Sequence, residues 1–99
     1  MIKTGPLKII MFTSPTCIIC DYVYEALKKM TKGYGNRVKI ELIDVTMYPE
    51  VVEKYNLTVL PTVIIGDTRI VGDYILSELD EVQMIIMDEV KKKKVKENE

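Results

Sequence analysis

A single α/β domain with the order β-α-β-α-β-β-α is predicted by three features of the chain. A nearly continuous apolar run, LKIIMF at 7–12, is followed after one turn cluster by a helical repeat of apolar residues. A second apolar run at 38–43 completes a βαβ unit, which favours a parallel strand pair joined by a right-handed crossover. Two further β-rich runs, TVII at 62–65 and RIV at 69–71, flank Gly66-Asp67-Thr68, the pattern of a hairpin.

Each element has its own justification. The first run lacks alternation, as a strand covered on both faces does. TSPT then breaks it, and from Ile18 to about Lys32 the positions Ile19, Val23, Leu27 and Met30 recur at helical spacing and are expected inward. Asp21, Glu25, Lys28 and Lys29 supply the polar side, and Gly33 and Gly35 end the helix. VKIELI at 38–43 alternates, so one face of that strand is solvated and an edge position suits it. Tyr48–Tyr55 reads as a short helix with Pro49 in its first turn and Asn56 past its end. Ser77 followed by Asp80 reads as the start of a last helix that turns Leu79, Val82, Ile86 and Val90 inward. The domain is expected to span 1–99, with residues 1–6 as a lead-in and the charged tail 92–99 frayed.

Composition narrows the function. The chain has 99 residues, enough for one domain, and its 47% hydrophobic and 29% charged residues read as globular. A formal net charge of −1 gives no global attraction to nucleic acid or to an anionic membrane. Lys91 to Lys94 form a basic run, but at a helix end lysines complement the dipole, and the run carries no stacking aromatics. The six tyrosines are scattered, although Tyr22 and Tyr24 fall on the helix that follows the cysteines. With no histidine, no Ser-His or Cys-His pair and no histidine metal site can form. The N-terminus lacks the apolar core and cleavage site of a signal peptide, and no stretch is long and apolar enough to span a membrane. A cytoplasmic location is therefore expected, where ordinary thiols stay reduced.

Two cysteines remain, Cys17 and Cys20. Set three apart they cannot staple a long loop, and they cannot alone complete a four-ligand zinc site. SPTCIIC places Cys17 where a loop enters a helix, with free N–H groups and the positive dipole end favouring thiolate over thiol. Cys20, one turn on, is on the same side and within reach of a mixed disulfide formed on Cys17. Position makes Cys17 the more exposed attacking thiol and Cys20 the more buried resolving one. Asp21 beside Cys20 would oppose thiolate formation. The same pair also matches half of a zinc or iron–sulfur site, or two small buried hydrophobes. Strand, turn, CxxC and amphipathic helix inside a βαβ unit favour the redox reading.

FTSPTCIIC resembles the strand-turn-CxxC signature of the thioredoxin and glutaredoxin-like proteins. VLPTVIIGDTRIVGDY, further on, is similar to their second signature of apolar residue, proline, hairpin and glycine. The resemblance runs from about Leu7 to Leu79 and implies the compact, glutaredoxin-sized thioredoxin-like fold. Four strands would then form a mixed sheet flanked by helices, with the second strand at one edge and the last at the other. It also implies a redox-active disulfide between Cys17 and Cys20 with no further cofactor and no metal. Pro61 is matched to a cis-proline facing the cysteines, turning the Leu60 backbone toward a substrate segment, with Gly72 allowing close approach and Thr16 beside the nucleophile.

The chain departs from the pattern at several places. Ile18 and Ile19 stand between the cysteines, where proline, glycine or tyrosine is usual; Ile18 offers an apolar rim for a protein partner. Met11 occupies the position of the buried acid of thioredoxins, and Thr16 that of their tryptophan. The glutathione pattern is half present: Leu60-Pro61 and Gly72 match, the double glycine is Val71-Gly72, Asp73 is off the usual spacing, and no lysine precedes the motif. The reading is a monomeric thiol–disulfide oxidoreductase acting on protein disulfides, resupplied by an upstream reductase and serving cytosolic redox homeostasis, with glutathione not the dedicated substrate. A dimer holding a metal or iron–sulfur cluster through two CxxC pairs, and a non-catalytic adaptor on the same fold, are the competing readings.

Overall fold

The computed structural model describes residues 5–72 and 74–97, with side chains through Lys93. Asp73 and the first four residues of the lead-in therefore lie outside the described residues. The strands are β1 (Leu7–Thr13), β2 (Val38–Asp44), β3 (Thr62–Ile65) and β4 (Thr68–Val71). The helices are α1 (Ile18–Thr31), α2 (Glu50–Lys54), α3 (Tyr74–Ser77) and α4 (Leu79–Glu97). A 3₁₀ segment, Lys32–Arg37, carries the chain from α1 to β2.

The four strands form one mixed sheet in the order β2-β1-β3-β4, so β2 and β4 are its edges. β1 and β2 run parallel from Leu7 opposite Val38 to Thr13 opposite Asp44, the pairing the βαβ pattern predicts. β3 runs antiparallel to β1, with Phe12 opposite Thr62, and returns as β4 through the two-residue loop Gly66-Asp67. Gly66 has φ 59°, the positive φ that such a tight hairpin needs at its first loop position.

β1 is mostly apolar because both of its faces are largely covered, with Lys8 its one exposed residue. Leu7, Ile9 and Met11 join Val63, Ile65 and Ile70 in the main core, with Val23 and Leu27 of α1, Ile75 of α3, and Val82 and Ile86 of α4. Phe12 points to the other face, where its ring lies 4.8 Å from that of Tyr55 at the end of α2. Truncating Leu27, which is fully buried, would cost about 2–5 kcal/mol through lost transfer energy and the cavity left behind.

Several helix details differ from the sequence reading. The buried stripe of α1 is Cys20, Val23, Leu27 and Thr31; Ile19 is exposed and Met30 only half-buried. The true stripe starts at the cysteine and steps by three and four residues, and Thr31 is accommodated because its hydroxyl donates to the Leu27 carbonyl at 2.9 Å. α2 is shorter than expected, beginning only at Glu50 after Pro49. Ser77 does not cap the last helix, for it ends α3 and donates its hydroxyl back to the Tyr74 carbonyl at 3.0 Å. Leu79 at the start of α4 is exposed, whereas Val82, Ile86 and Val90 are buried as expected. α4 continues as helix through the lysine run to Glu97, where fraying is the sequence expectation. Lysine is a good helix former, and its charge suits the negative dipole end.

Candidate functional site

The site grows from the end of β1. After Thr13 the chain turns through Ser14 and Pro15, and the Cys17 N–H closes that turn on the Ser14 carbonyl at 3.2 Å. Cys17 is then the N-cap of α1, in extended conformation (φ −91°, ψ 101°), and its Sγ accepts the Cys20 N–H at 3.2 Å. A helix N-terminus has N–H groups without intrahelical partners, and here one of them is aimed at sulfur. The sulfur of a reduced Cys17 would meet the same donor and the positive dipole end, which hold a thiolate in preference to a thiol.

Cys17 and Cys20 are joined as a disulfide, with Cα atoms 5.3 Å apart, inside the usual range. Their surroundings are unequal in the sense the spacing implies. Cys17 is half-buried, whereas Cys20 is 1% exposed and belongs to the core. Met11, at the position of the thioredoxin acid, is fully buried and apolar. On α1, Ile18, the residue directly after Cys17, is 74% exposed, and Tyr22 is 64% exposed. Tyr24 is half-buried, packs against the core, and carries the Lys28 ammonium 4.9 Å from its ring centroid.

The strand register brings the second signature to the same end of the sheet. Because Phe12 pairs with Thr62 and Thr62 with Val71, the residue before β3 and the residue after β4 both border the end at which β1 releases the cysteine loop. Those residues are Pro61 and Gly72. The Leu60–Pro61 bond is cis, Pro61 is buried, and its carbonyl accepts the Gly72 N–H at 2.8 Å. Leu60 is half-buried and packs on the same core as Cys17. Gly72 has φ 64°, and an added Cβ would meet nothing within 4 Å, so its backbone conformation is what calls for glycine. Thr16 is exposed and its hydroxyl lies 3.3 Å from that of Ser14.

Two further features at this end are not predicted from the sequence. Thr62, fully buried, donates its hydroxyl to the Val59 carbonyl at 2.7 Å and ties off the loop that carries Leu60-Pro61. A threonine directly after the proline is the signal for it. The loop after β2 also begins here, since Val45 N–H donates to the Thr13 carbonyl at 2.9 Å. Asp44 opens that loop as an Asx turn: its carboxylate accepts the Thr46 hydroxyl at 2.6 Å and the Thr46 N–H at 2.9 Å. These bonds, the hydroxyl's first, hold the Asp44 carboxyl below the ordinary carboxylate range. The Asp-x-Thr spacing marks such a turn in a sequence. Among the described residues no cluster of three or more cysteine, aspartate or glutamate side chains is placed to hold a metal.

A disulfide across the first turn of the first helix, on a sheet of this order with a cis-proline at the same end, defines a thioredoxin-fold protein with a thiol–disulfide redox role. Residues 8–98 match the family described as Glutaredoxin-like domain (DUF836), and the chain belongs to that family. It is 36% identical over 67 residues to a probable thioredoxin of Methanothermobacter marburgensis, covering 67% of this chain and 79% of that one. A probable thioredoxin of Methanothermobacter thermautotrophicus is 35% identical over 63 residues, covering 63% of this chain and 74% of the relative. Among solved structures, thioredoxin 1 of Thermosipho africanus TCF52B superposes with a TM-score of 0.69 at 25% identity, covering 85% of this chain and 94% of that one. Among the described residues no helix is long and apolar enough to cross a membrane.

Proposed function

We propose that the protein is a cytosolic protein-disulfide reductase that uses Cys17 as nucleophile and Cys20 as resolving thiol. The observation that carries this reading is the asymmetry of the pair: Cys17 is a half-exposed N-cap sulfur, and Cys20 is sealed in the core one turn behind it. In the reduced protein the Cys17 thiolate attacks one sulfur of a substrate disulfide. A Cys17–substrate disulfide forms and the other substrate sulfur leaves as thiolate. Cys20, losing its proton, then attacks Cys17 Sγ and displaces the second substrate thiolate. Two electrons have passed to the substrate, and the protein holds the Cys17–Cys20 disulfide. An upstream dithiol reductase returns it to the reduced form by the reverse exchange.

A protein substrate suits the exposed apolar side chain of Ile18, directly after Cys17, better than a small charged thiol does. An extended substrate segment would pair with the Leu60 backbone beside Pro61, with Gly72 next to it and Thr16 at the rim. Glutathione lacks a positive partner at the motif, where Thr13, Ser14 and Thr16 are neutral. No second chain is needed for the exchange, because both sulfurs come from one. The test is thiol trapping. Cys20→Ser should accumulate mixed disulfides with proteins that dithiothreitol releases, and Cys17→Ser should trap none and leave insulin unreduced. Parent-rate insulin reduction by both single variants would overturn the mechanism.

A further inference from the structure

One side of the sheet ends in a bare strand. β2 is outermost in the order β2-β1-β3-β4 and pairs along its whole length, Val38 to Asp44, with β1. Its outer edge is a row of backbone donors and acceptors with no strand partner among the described residues. Such edges are commonly blunted by a bulge, a proline, shortness or charged side chains; the seven residues of β2 have an unbroken register and no proline, and their exposed charges are Lys39 and Glu41, of opposite sign.

The side chains along this edge are sorted by face. On the core side Val38 is buried, Ile40 half-buried, and Leu42 is 46% exposed, so an apolar strip runs out from the core at the open edge. On the opposite side Lys39 and Glu41 are exposed. Lys39 lies in register beside Lys8, a like charge, while Lys8 reaches past it to Glu41 at 3.6 Å. Lys39 itself has no ion-pair partner among the described residues.

From this pattern we infer that β2 is a self-association edge, pairing antiparallel with β2 of a second copy about a two-fold axis at Ile40. In that register Lys39 faces the partner's Glu41 and Glu41 faces the partner's Lys39, while Val38 faces the partner's Leu42 and Ile40 meets its own copy. Both charges are matched on one side of the seam and the apolar strip is covered on the other. Other registers lose this. An axis at Lys39 or at Glu41 sets like charges opposite, and an axis at Leu42 leaves Lys39 facing Val45 and Glu41 facing Ile43. The second copy is thus the occupant whose charges fit.

Where the sequence leads one to expect a monomer, the proposed pairing makes a dimer of complete sites. Because the two β2 strands run in opposite directions, the two cysteine pairs sit at opposite ends of the joined sheet. Neither contributes to the other, and four thiolates cannot meet around one metal in this arrangement. The inference does not rest on the redox reading, and its test reads assembly separately.

Sedimentation of the full chain across a concentration series should show a monomer–dimer equilibrium. Lys39→Glu and Glu41→Lys should each weaken it about tenfold or more, since each sets like charges opposite at both ends of the seam. An equimolar mixture of the two variants should dimerise at parent affinity, because every pair across that seam is again opposite in sign. The double variant Lys39→Glu/Glu41→Lys should do so by itself. Both variants should reduce insulin at the parent rate. A parent chain that stays monomeric throughout, a dimer indifferent to the charge reversals, or a mixture no tighter than its components would each overturn the proposal. Failure of thiol trapping would leave the assembly result standing.

Discussion

At the scale of single residues, the site depends on a sulfur that is also a helix cap. Serine is among the best N-caps, so Cys17→Ser should abolish exchange while leaving the thermal midpoint of the reduced protein essentially unchanged. Cys17→Ala, which cannot cap, should lose about 1 kcal/mol in a denaturant melt. Ile18 is so exposed that Ile18→Ser should leave stability within roughly 0.5 kcal/mol. If it forms the substrate rim, that change should raise KM for insulin and spare the rate with a small aromatic disulfide. Equal losses on both substrates would remove Ile18 from the rim. Asp44 offers a pH test at the same end of the sheet. Its folded pKa is depressed, so its contribution to stability is present above the unfolded value and is lost as pH falls through the folded one. Thr46→Val removes the hydroxyl donor, and the Asp44 carboxyl resonance should then titrate at higher pH than in the parent.

At the scale of elements, most of the fold was legible because period and punctuation agree. The run at 7–12, the alternation at 38–43 and the Gly66-Asp67 turn each point to the element that forms. What was not legible depends on packing between elements. Ile19 fits a helical repeat as well as Cys20 does, and only the docked helix shows which stripe faces the sheet. Ser77 resembles a cap until α3 uses its hydroxyl. Of the site, the cysteine pair was legible from its spacing together with its place between a strand, a turn and an amphipathic helix. The cis bond at Pro61 entered through family resemblance, since no local property of Leu60-Pro61 distinguishes it. Arg69 illustrates a role invisible in sequence: its guanidinium donates to the Tyr55 and Asn56 carbonyls at 2.6 and 3.0 Å, tying the end of α2 to β4. Arg69→Ala should cost about 1 kcal/mol in a denaturant melt, and Arg69→Lys should recover less than half, because an ammonium cannot reproduce the fork. Gly66→Ala should cost about 1–2 kcal/mol, mainly for its positive φ. It also displaces the Glu89 carboxylate, which packs on Gly66 and pairs with Lys92 at 3.3 Å. Glu89→Ala in the Gly66→Ala background should recover only the smaller, steric part.

At the scale of the whole molecule, one face of the sheet carries nearly all the core and one end carries the chemistry. The β2 edge lies along the side of the sheet, away from neither face and blocking neither cysteine, so the paired form proposed above leaves both sites open. The end that bears the disulfide is contributed by the exit of β1, the entry to β3 and the exit of β4, stretches far apart in the chain. A peptide consisting of FTSPTCIIC holds both thiols yet none of the surface from Leu60 to Gly72. An exchange activity built on this end would therefore depend on the whole fold. Turnover measured through a urea series should fall along the same curve as the far-ultraviolet circular dichroism, with no denaturant range in which a folded chain has already gone silent.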